Sequence, residues 1–329
     1  MKKVNWGIIA TGGIARKFAD DFKRVKNGEL IAVGSRSLTR AKKFAKRFNI
    51  EKFYGSYLEL VNDPDVDAVY IATPHHLHFS NTIMALNAGK SVLCEKPFAI
   101  NAREADKMIN TARKKGLVLM EAMWARFNPA LVELRKLLKK NVIGKPKFLR
   151  ADFSFKARFN AKSRLYNPEL GGGALLDIGV YCVALSQMIF GFPDKIKSFS
   201  IKGRTGVDEQ NGIQLYYNSG ALAHLTSSFR YNGDREALIT GDKGSIRLYD
   251  GWHRALKIEI SLNNGKNRII KFGNNKYGLN YETEHVGDLI IKNKYESNIM
   301  PHSDTLQIMK IMDMIRKQWN LVYPMEQSR

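Results

Sequence analysis

The sequence predicts an α/β protein in two parts: a doubly wound parallel sheet, then an α+β part with a large, mostly antiparallel, open sheet. Apolar runs alternate with amphipathic helical patterns up to residue 122, which is the spacing of parallel strands joined by right-handed crossovers. From residue 196 onward, short alternating segments follow one another with turn residues between them, which is typical of antiparallel strands. We therefore predict one domain over residues 1–122 and a second over residues 123–329.

Composition bounds the class of protein. The chain has 329 residues, of which 44% are hydrophobic and 26% charged, as is ordinary for a globular protein with two cores. The sequence shows no run of about 18 apolar residues that would predict a membrane span, and its first residues lack a signal-peptide pattern. Cys94 and Cys182 lie in apolar surroundings, so we expect free thiols in a reducing cytoplasm.

The net charge of +22 is the one unusual bulk property, and it invites a nucleic-acid-binding hypothesis. The lysines and arginines are, however, spread along the whole chain and mixed with acidic residues, without a basic tail. We therefore expect a general basic bias or an attraction to anionic ligands, and no specific nucleic-acid site.

A glycine turn follows the first predicted strand, which ends at Ala10. The spacing Ala10-x-Gly12-x-x-Ala15 matches the dinucleotide-binding (Rossmann) fingerprint with alanine in place of its first glycine. Gly12 would let the backbone approach a pyrophosphate, whose charge a helix N-terminus would stabilise. The alternative is an ordinary tight turn from strand to helix. The residues predicted to hold the dinucleotide here are Ala10, Thr11, Gly12, Gly13 and Ile14.

The end of the second predicted strand indicates which dinucleotide binds. An acidic residue there would bind the ribose 2′-hydroxyl of NAD, but the sequence has Ser35, Arg36 and Ser37, with Arg40 one helical turn further on. Serine and arginine donors would instead bind the 2′-phosphate of NADP, so we predict NADP over NAD. The alternative is that Ser37 only caps a helix and Arg36 is solvated, which explains Ser37 but not the missing acid.

Three histidines follow the next buried strand, in the stretch Thr73-Pro74-His75-His76-Leu77-His78. A zinc site needs three or four converging ligands, and the sequence has no acid or cysteine cluster that completes this set. We therefore predict no metal. We expect instead a loop that closes over the cofactor and brings to it Thr73, Pro74, His75 and His78.

A charged pair, Glu95 and Lys96, follows the apolar run Val92–Cys94, and Pro97 ends that predicted strand. Ligands of open α/β sheets bind outside the carboxyl ends of the strands, so we expect Glu95 and Lys96 to face the cofactor site. The alternative is a lysine on a surface loop. A bond before proline can be cis, and a cis bond here would direct Lys96 into the cleft.

A helix predicted over residues 174–189 carries a candidate acid–base pair, and the glycines at 171–173 would give it a flexible entry. Asp177 and Tyr181 are four residues apart, so on an α-helix they would share one face. Tyrosine has a pKa near 10 and needs a nearby cation to ionise near neutral pH, which Lys96 could supply. The alternative is a charge at a helix N-terminus and a half-buried aromatic ring.

The rest of the second part offers candidates for a substrate pocket and for a dimer surface. Aromatic walls would suit a sugar ring or an arene diol, although each candidate could equally belong to the core or to an interface. The antiparallel sheet would bury one face under helices and leave the other for a second copy. Helices are predicted at 281–292 and 304–319. The pocket candidates are Trp124, Arg126, Phe155 and Trp252.

Together these motifs resemble the glucose–fructose oxidoreductase, inositol dehydrogenase and rhizopine-catabolism (Gfo/Idh/MocA) family. The resemblance rests on the early glycine turn, the Glu95-Lys96-Pro97 motif, the stretch 171–181 and the large C-terminal sheet, and it covers essentially the whole chain. The stretch 121–127 and the tyrosine at position 181 look most like the dimeric dihydrodiol dehydrogenase and NADP-dependent D-xylose dehydrogenase branch.

The resemblance implies hydride transfer between NADP and a hydroxyl or carbonyl carbon of a sugar, polyol or dihydrodiol. It implies Tyr181 as the acid or base, assisted by Lys96 and Asp177. It also implies a homodimer built on the open sheet face, or a tetramer, and a cis bond before Pro97. The competing hypothesis is a non-catalytic, NADP-responsive regulator of the same fold, which would be expected to lack the lysine or the acid–tyrosine pair.

Overall fold

The computed structural model describes residues 3–249, 251–273 and 277–327. Within these ranges the chain forms a six-stranded sheet and an eight-stranded sheet together with helices. The first sheet is parallel throughout, and the second is antiparallel except for one pair of strands. The predicted α/β class, with its two different sheets, is therefore confirmed.

Two compact units divide the chain. Unit 1 is Met1–Trp124 together with Lys276–Leu306, and unit 2 is Ala125–Asn275 together with Gln307–Arg329. The chain first passes from unit 1 to unit 2 after Trp124, close to the predicted boundary after residue 122. The predicted second domain differs in one respect, because it includes the segment Lys276–Leu306, which packs with unit 1.

Unit 1 is a doubly wound sheet with the strand order β3-β2-β1-β4-β5-β6. The order reverses between β1 and β4, and ligands of such sheets bind at this point, beyond the carboxyl ends of the strands. Numbered in chain order, its strands are β1 (Val4–Ile9), β2 (Gly28–Gly34), β3 (Lys52–Tyr54), β4 (Ala68–Ile71), β5 (Ser91–Glu95) and β6 (Leu119–Ala122), and its helices are α1 (Gly13–Phe22), α2 (Leu38–Phe48), α3 (Tyr57–Val61), α4 (His78–Asn87), α5 (Ala102–Lys115) and α8 (Leu279–Ile291).

The central strands of unit 1 are apolar because helices cover the sheet on both faces. Every residue of β4 and of β5 is buried. Aromatic rings fix α1 on this sheet: Phe18 lies 6.2 Å from Trp6 and stacks on Tyr70 at 3.8 Å between ring centroids. Burying a side chain such as Phe18 contributes roughly 1.5–3 kcal/mol to the free energy of unfolding. Cys94 in β5 is a free, buried thiol, as predicted.

Helix α8 completes unit 1 from a distant part of the sequence. The Leu279 N–H donates to Asp21 of α1 at 2.9 Å, and the side chain of Asn27 donates to Asp288 at 2.7 Å. The helix was predicted at nearly these residues but in the other domain. An amphipathic pattern shows that one face of a helix is buried without showing which sheet it is buried against.

Unit 2 contains the larger sheet, with the strand order β14-β13-β12-β11-β7-β10-β9-β8. Only β7 and β10 pair in parallel among its described strands. The strands are β7 (Pro146–Ser154), β8 (Lys195–Lys202), β9 (Asp208–Tyr216), β10 (Leu222–Ser228), β11 (Ala237–Gly241), β12 (Gly244–Leu248), β13 (Lys257–Leu262) and β14 (Asn267–Lys271). The helices are α6 (Pro129–Lys139), α7 (Val180–Phe190), α9 (His302–Gln318) and α10 (Pro324–Gln327), and α9 belongs to unit 2 only from Gln307 onward.

One face of this sheet keeps apolar side chains exposed. Buried and exposed residues alternate along β8, β9 and β10, as expected for a sheet with one covered face. The register of these strands places four exposed apolar residues on the same face, and Phe199 is the most exposed of them at 84%. We call this set the apolar sheet face: Phe199, Ile201, Tyr216 and Leu222.

The stretch Pro168–Phe190 of unit 2 is long and apolar enough to span a membrane by length and composition, with a mean hydropathy of 1.6. In the structure 83% of its apolar window is buried, as in the core helix of a globular protein. Burial by the protein, rather than shortness, therefore distinguishes this segment from a membrane span.

Ala10 occupies a strained backbone conformation at the end of β1. Its φ is +94°, in a region that glycine adopts readily and other residues rarely. This is the position where the dinucleotide fingerprint has its first glycine. A non-glycine residue in such a conformation costs on the order of 1–3 kcal/mol.

We predict that Ala10→Gly raises the free energy of unfolding by about 1 kcal/mol, because relief of this strain exceeds the entropy that glycine adds to the unfolded chain. Urea denaturation followed by circular dichroism measures the change. Ala19→Gly, in the middle of α1, is the matched control and should lower the free energy of unfolding by about 1 kcal/mol or more. An equal loss of the free energy of unfolding in both variants would show that the backbone at Ala10 is not strained.

Candidate active site

The N-terminus of α1 opens beyond the carboxyl end of β1. In the described part of the chain, no side chain caps this helix at Gly12, and both Gly12 and Gly13 are exposed. A Cβ atom built on Gly12 would meet none of the described atoms within 4 Å. The first backbone N–H groups of a helix have no partner within the helix, and its positive end favours a phosphate. These residues fit the pyrophosphate of a dinucleotide.

The cationic residues that follow β2 lie next to this turn, because β2 pairs with β1. Ser37 caps α2 by accepting a hydrogen bond from the Arg40 N–H at 3.4 Å. Arg36 and Arg40 are exposed. Burial raises the pKa of Tyr57, and the charge of Arg36 partly opposes that rise. The end of β2 thus offers cations and donors where an NAD site would have an acid.

His78 ties the loop after β4 to the loop after β5. Its Nδ1 lies 2.8 Å from the Pro97 carbonyl oxygen and its Nε2 lies 2.9 Å from that of Thr73. Complete burial lowers the pKa of His78 to about 4, although the two carbonyls favour the charged form. A neutral ring has a single N–H and donates to one of these carbonyls. Both ring nitrogens therefore face the protein backbone, and any effect of His78 on a cofactor is exerted through the two loops.

The other residues of this loop are also enclosed. Thr73 and His75 are 6% and 7% exposed, and the Thr73 hydroxyl accepts a hydrogen bond from Asn81 at 3.2 Å. The loop begins as a 3-10 turn over His75–Leu77, and α4 starts at His78. Across the described ranges, no group of three or more His, Cys, Asp or Glu side chains is arranged to hold a metal ion.

Glu95 is the last residue of β5 and is 4% exposed, so its carboxylate points into unit 1. It accepts hydrogen bonds from the Tyr70 hydroxyl and from the Lys96 N–H, the latter at 3.2 Å. Lys96 is half-buried, and the bond between Lys96 and Pro97 is cis, as the resemblance implies. Of the two residues predicted to face the cofactor, Lys96 is therefore the one with accessible surface.

A third element brings another carboxyl group to this end of the sheet. Glu282 of α8 is 0% exposed, and neither of its oxygens has a hydrogen-bond partner among the described residues. Burial raises the pKa of Glu282 well above its ordinary value, and the nearby Glu95 and Glu121 raise it further. Glu282 is not among the predicted site residues. The only sequence feature that could have indicated it is a single acidic residue on the apolar side of an amphipathic helix.

In unit 2, Asp177 and Tyr181 do not lie on a regular α-helix. The segment begins with a π-helical turn over Leu175–Gly179, in which the Val180 N–H bonds back to the Leu175 carbonyl, and α7 follows. The prediction of a single α-helix over 174–189 is corrected in this respect. A π-helical turn contains more residues than an α-helical turn, so a spacing of four residues here does not set the angle between the two side chains as it would on an α-helix.

Asp177 is 3% exposed and is held by an arginine. The Nη1 atom of Arg164 lies 2.5 Å from Asp177 Oδ1. Arg164 belongs to the loop between β7 and the glycine stretch, and its side chain is 57% exposed. Arg164 is not among the predicted site residues, because a lone arginine in a loop gives no sequence pattern. The ion pair fixes the orientation of the Asp177 carboxylate.

Tyr181 is 6% exposed and belongs to an aromatic cluster. Its ring centroid lies 5.4 Å from Phe153 of β7 and 5.6 Å from His253, and Phe153 stacks on His253 at 4.3 Å. The neighbouring Trp252 is 1% exposed and donates its indole N–H to the Asp152 carbonyl at 2.9 Å. These rings limit the rotation of the tyrosine side chain. Neither Phe153 nor His253 was among the predicted site residues.

The four candidate pocket residues have different surroundings. Arg126 is 3% exposed and donates to the Gln187 side chain at 2.5 Å and to the Ala184 carbonyl at 3.3 Å, which fixes it to α7. For Arg126 and Trp252 this burial favours the alternative that they belong to the core. Trp124 and Phe155 are half-buried, and the Phe155 ring packs on Phe229 at 5.4 Å.

Comparison with known families assigns both parts of the chain. A model described as an oxidoreductase family with an NAD-binding Rossmann fold matches residues 4–123, and a model of the GFO/IDH/MocA C-terminal domain matches residues 131–247. The chain is 38% identical over 331 residues to trans-1,2-dihydrobenzene-1,2-diol dehydrogenase of Xenopus tropicalis, which covers 97% of this chain and 99% of that protein.

Solved structures with bound nicotinamide nucleotides have the same fold. Levoglucosan dehydrogenase in complex with NADH and levoglucosan matches with a TM-score of 0.87 and 21% identity, covering 96% of this chain and 97% of that one. KijD10, a 3-ketoreductase from Actinomadura kijaniata in complex with NADP and TDP-benzene, matches with a TM-score of 0.85 and 24% identity, covering 96% of this chain and 98% of that one.

The two family models match in the order in which the chain forms its two sheets. The identity to the amphibian dehydrogenase extends over nearly the full length of both proteins. The open N-terminus of α1 is a place where a phosphate group is favoured. This chain is therefore an NAD(P)-dependent dehydrogenase, and it belongs to the Gfo/Idh/MocA oxidoreductase family.

Proposed function

We propose that this dehydrogenase uses NADP and oxidises a hydroxyl-bearing carbon, or reduces the corresponding carbonyl, of a sugar, polyol or dihydrodiol. The observation that carries the proposal is the pair of buried side chains, Asp177 and Tyr181, at the start of one helical segment. The relatives support the substrate class, because their names refer to a dihydrodiol and to levoglucosan.

In this proposal Tyr181 is the acid–base residue. During oxidation the substrate hydroxyl loses its proton to the Tyr181 oxygen, and the C–H bond of the same carbon breaks with its electron pair. A bound nicotinamide would supply the acceptor for that pair as hydride. In the reverse direction Tyr181 returns the proton to the carbonyl oxygen. General acid–base assistance of this kind is worth about 10²–10⁴ in rate.

Lys96 and Asp177 assist Tyr181 in this proposal. A tyrosine ionises near neutral pH only beside a cation, so Lys96 would lower the pKa of Tyr181 and donate a hydrogen bond to the substrate oxygen. Asp177, oriented by Arg164, would accept a hydrogen bond from a substrate hydroxyl or from Lys96. The aromatic cluster of Phe153 and His253 would keep the tyrosine in one rotamer.

The nucleotide would lie along the ends of β1 and β2. The backbone of residues 10–14 would bind the pyrophosphate, and Ser35, Arg36, Ser37 and Arg40 would bind the 2′-phosphate. Thr73, Pro74, His75, His78 and Glu95 would shape the loops beside it, while Trp124 and Phe155 would line the substrate pocket. We also propose a reducing, cytoplasmic compartment, which the two free cysteines support.

We predict that Tyr181→Phe lowers kcat/KM by about 10²–10⁴, because the proton has no other acceptor in the proposed mechanism. Activity is followed as the absorbance of the reduced nicotinamide with a panel of aldoses, cyclic polyols and dihydrodiols. Nucleotide affinity, measured by fluorescence, should stay unchanged. Tyr217→Phe, at another buried tyrosine that bonds Ser186 at 2.8 Å, is the control and should keep its activity. Full activity in Tyr181→Phe would refute the assignment.

The nucleotide preference is tested at Arg36. We predict that Arg36→Ala raises the KM for NADP about 10- to 100-fold, because a charge-assisted hydrogen bond to the 2′-phosphate contributes roughly 1.5–3 kcal/mol. The KM for NAD should change little, since NAD lacks that phosphate. Arg47→Ala, at an exposed arginine near the other end of α2, is the control. A wild-type enzyme that prefers NAD would overturn the prediction.

We further propose that a second copy of the chain covers the apolar sheet face, which gives a homodimer or, with a further interface, a tetramer. The four exposed apolar side chains on neighbouring strands support this surface, since monomers rarely leave such a cluster in water.

We predict that Phe199→Asp dissociates the oligomer, because it places a charge at the most exposed position of that face. Analytical ultracentrifugation should give the mass of an oligomer for the wild type and of a monomer for the variant. Leu58→Asp, at an exposed leucine of α3 in unit 1, is the control and should remain oligomeric. A monomeric wild type would rule out the proposed interface.

A further inference from the structure

Unit 2 contains a second buried carboxylate that the proposed mechanism does not use. Asp208, the first residue of β9, is 0% exposed. Its Oδ2 atom accepts hydrogen bonds from the backbone N–H of Leu175 at 2.8 Å and from the side chain of Asn211 at 2.9 Å. Leu175 is the first residue of the π-helical turn that contains Asp177 and leads into Tyr181. Asp208 therefore holds the backbone at the start of the candidate catalytic segment.

The glycine stretch before this segment allows the close approach of Asp208. Gly173 has a φ of +119°, and a Cβ atom built there would lie only 2.3 Å from Asp208 Oδ1. A side chain at position 173 would thus push the carboxylate away from the Leu175 N–H. The sequence predicts that residues 171–173 give the helix a flexible entry. In the structure they form instead a close contact between the backbone and a buried acid.

Further hydrogen bonds fix the groups around Asp208. The Ser227 hydroxyl donates to Asn211 Oδ1 at 2.9 Å, so the partner of Asp208 is itself oriented. The Tyr323 hydroxyl donates to the Gly172 carbonyl at 2.6 Å. The glycine stretch is therefore held on one side by Asp208 and on the other by a residue from the C-terminal end of the chain.

Burial and a small number of neighbouring groups determine the pKa of Asp208. Among the described residues, its Oδ1 atom has no hydrogen-bond partner. Burial raises the pKa of Asp208 to about 7, against the opposing effects of the Leu175 N–H, Asn211 and Arg316. The charged or titratable side chains that face it are Arg316 and Tyr323. A carboxylate accepts the Leu175 N–H more strongly than the protonated acid does.

We propose that Asp208 is a positioning residue of this dehydrogenase: by accepting the Leu175 N–H it fixes where the π-helical turn begins, and with it the direction of Asp177 and Tyr181. The π-helix is rare and occurs mostly as single turns inside α-helices, often at functional sites. The inference rests on the proposed function, since it assigns Asp208 a role in the same reaction.

The test compares Asp208→Asn with Asp208→Ala in the full-length enzyme. The amide oxygen of Asp208→Asn still accepts the Leu175 N–H, so the kcat of this variant should stay within a few-fold of the wild type. The wild-type pH–rate profile should change near pH 7, where Asp208 titrates, and the profile of Asp208→Asn should lack that change. Asp208→Ala leaves that N–H without an acceptor, so its kcat should fall by at least about tenfold. Nucleotide KM should not change in either variant, because unit 1 binds the nucleotide.

A stability measurement covers the case in which Asp208→Ala does not fold. A carboxyl group whose folded pKa is raised loses its stabilising effect as pH rises from its unfolded value toward the folded one, here between about pH 4 and pH 7. The wild-type Tm should therefore fall over this range by more than the Tm of Asp208→Asn. Equal pH dependence of Tm together with an unchanged pH–rate profile in Asp208→Asn would overturn the proposal.

Tyr181→Phe, measured in parallel, separates this inference from the proposed function. Full activity in Tyr181→Phe would refute the function and, with it, the role of Asp208. An inactive Tyr181→Phe beside a folded Asp208→Ala with wild-type kcat would leave the function in place and refute only the positioning role.

Discussion

Helices cover both faces of the unit 1 sheet, and this constraint determines where the polar side chains of unit 1 can lie. Polar side chains cannot be solvated along β4 and β5, whose residues are all buried, so they collect at the carboxyl ends of the strands. There the backbone of α1 begins, the cations after β2 stand beside it, and Lys96 follows the last residue of β5. Buried polar groups at this edge find their hydrogen-bond partners within the protein, as the two backbone carbonyls that face His78 show.

Unit 2 meets the same constraint with a single covered sheet face. Its helical segment from residue 175 is buried almost throughout, so each polar group on it requires a partner. Asp177 has Arg164, the N–H of Leu175 has Asp208, and Tyr181 lies among aromatic rings. Partners of this kind fix orientation, which matters for proton transfer because a displacement of about 1 Å is costly in rate.

The sequence was sufficient for features that depend on neighbouring residues. Alternating apolar runs and glycine turns predicted the parallel sheet of unit 1, and Arg36 with no acid beside it predicted the cationic end of β2. Features that depend on distant residues could not be predicted. The pattern of α8 shows a buried face but not that this face packs on unit 1, so Glu282 was missed. The spacing of Asp177 and Tyr181 in the sequence is the same in an α-helix and in a π-helical turn, and only the bond from the Val180 N–H to the Leu175 carbonyl, seen in the structure, distinguishes them.

Unit 1 is built from two segments that are separated in the chain by most of unit 2, and this order has a consequence for synthesis on the ribosome. Translation proceeds from the N-terminus, and domains generally fold as they emerge. The parallel sheet is finished when β6 has been made, yet the surface of α1 that bonds α8 through Asp21 stays uncovered until residue 279 has followed. The nascent nucleotide-binding unit thus waits, incomplete, while more than 150 further residues are translated, since unit 2 occupies Ala125–Asn275 before α8 begins.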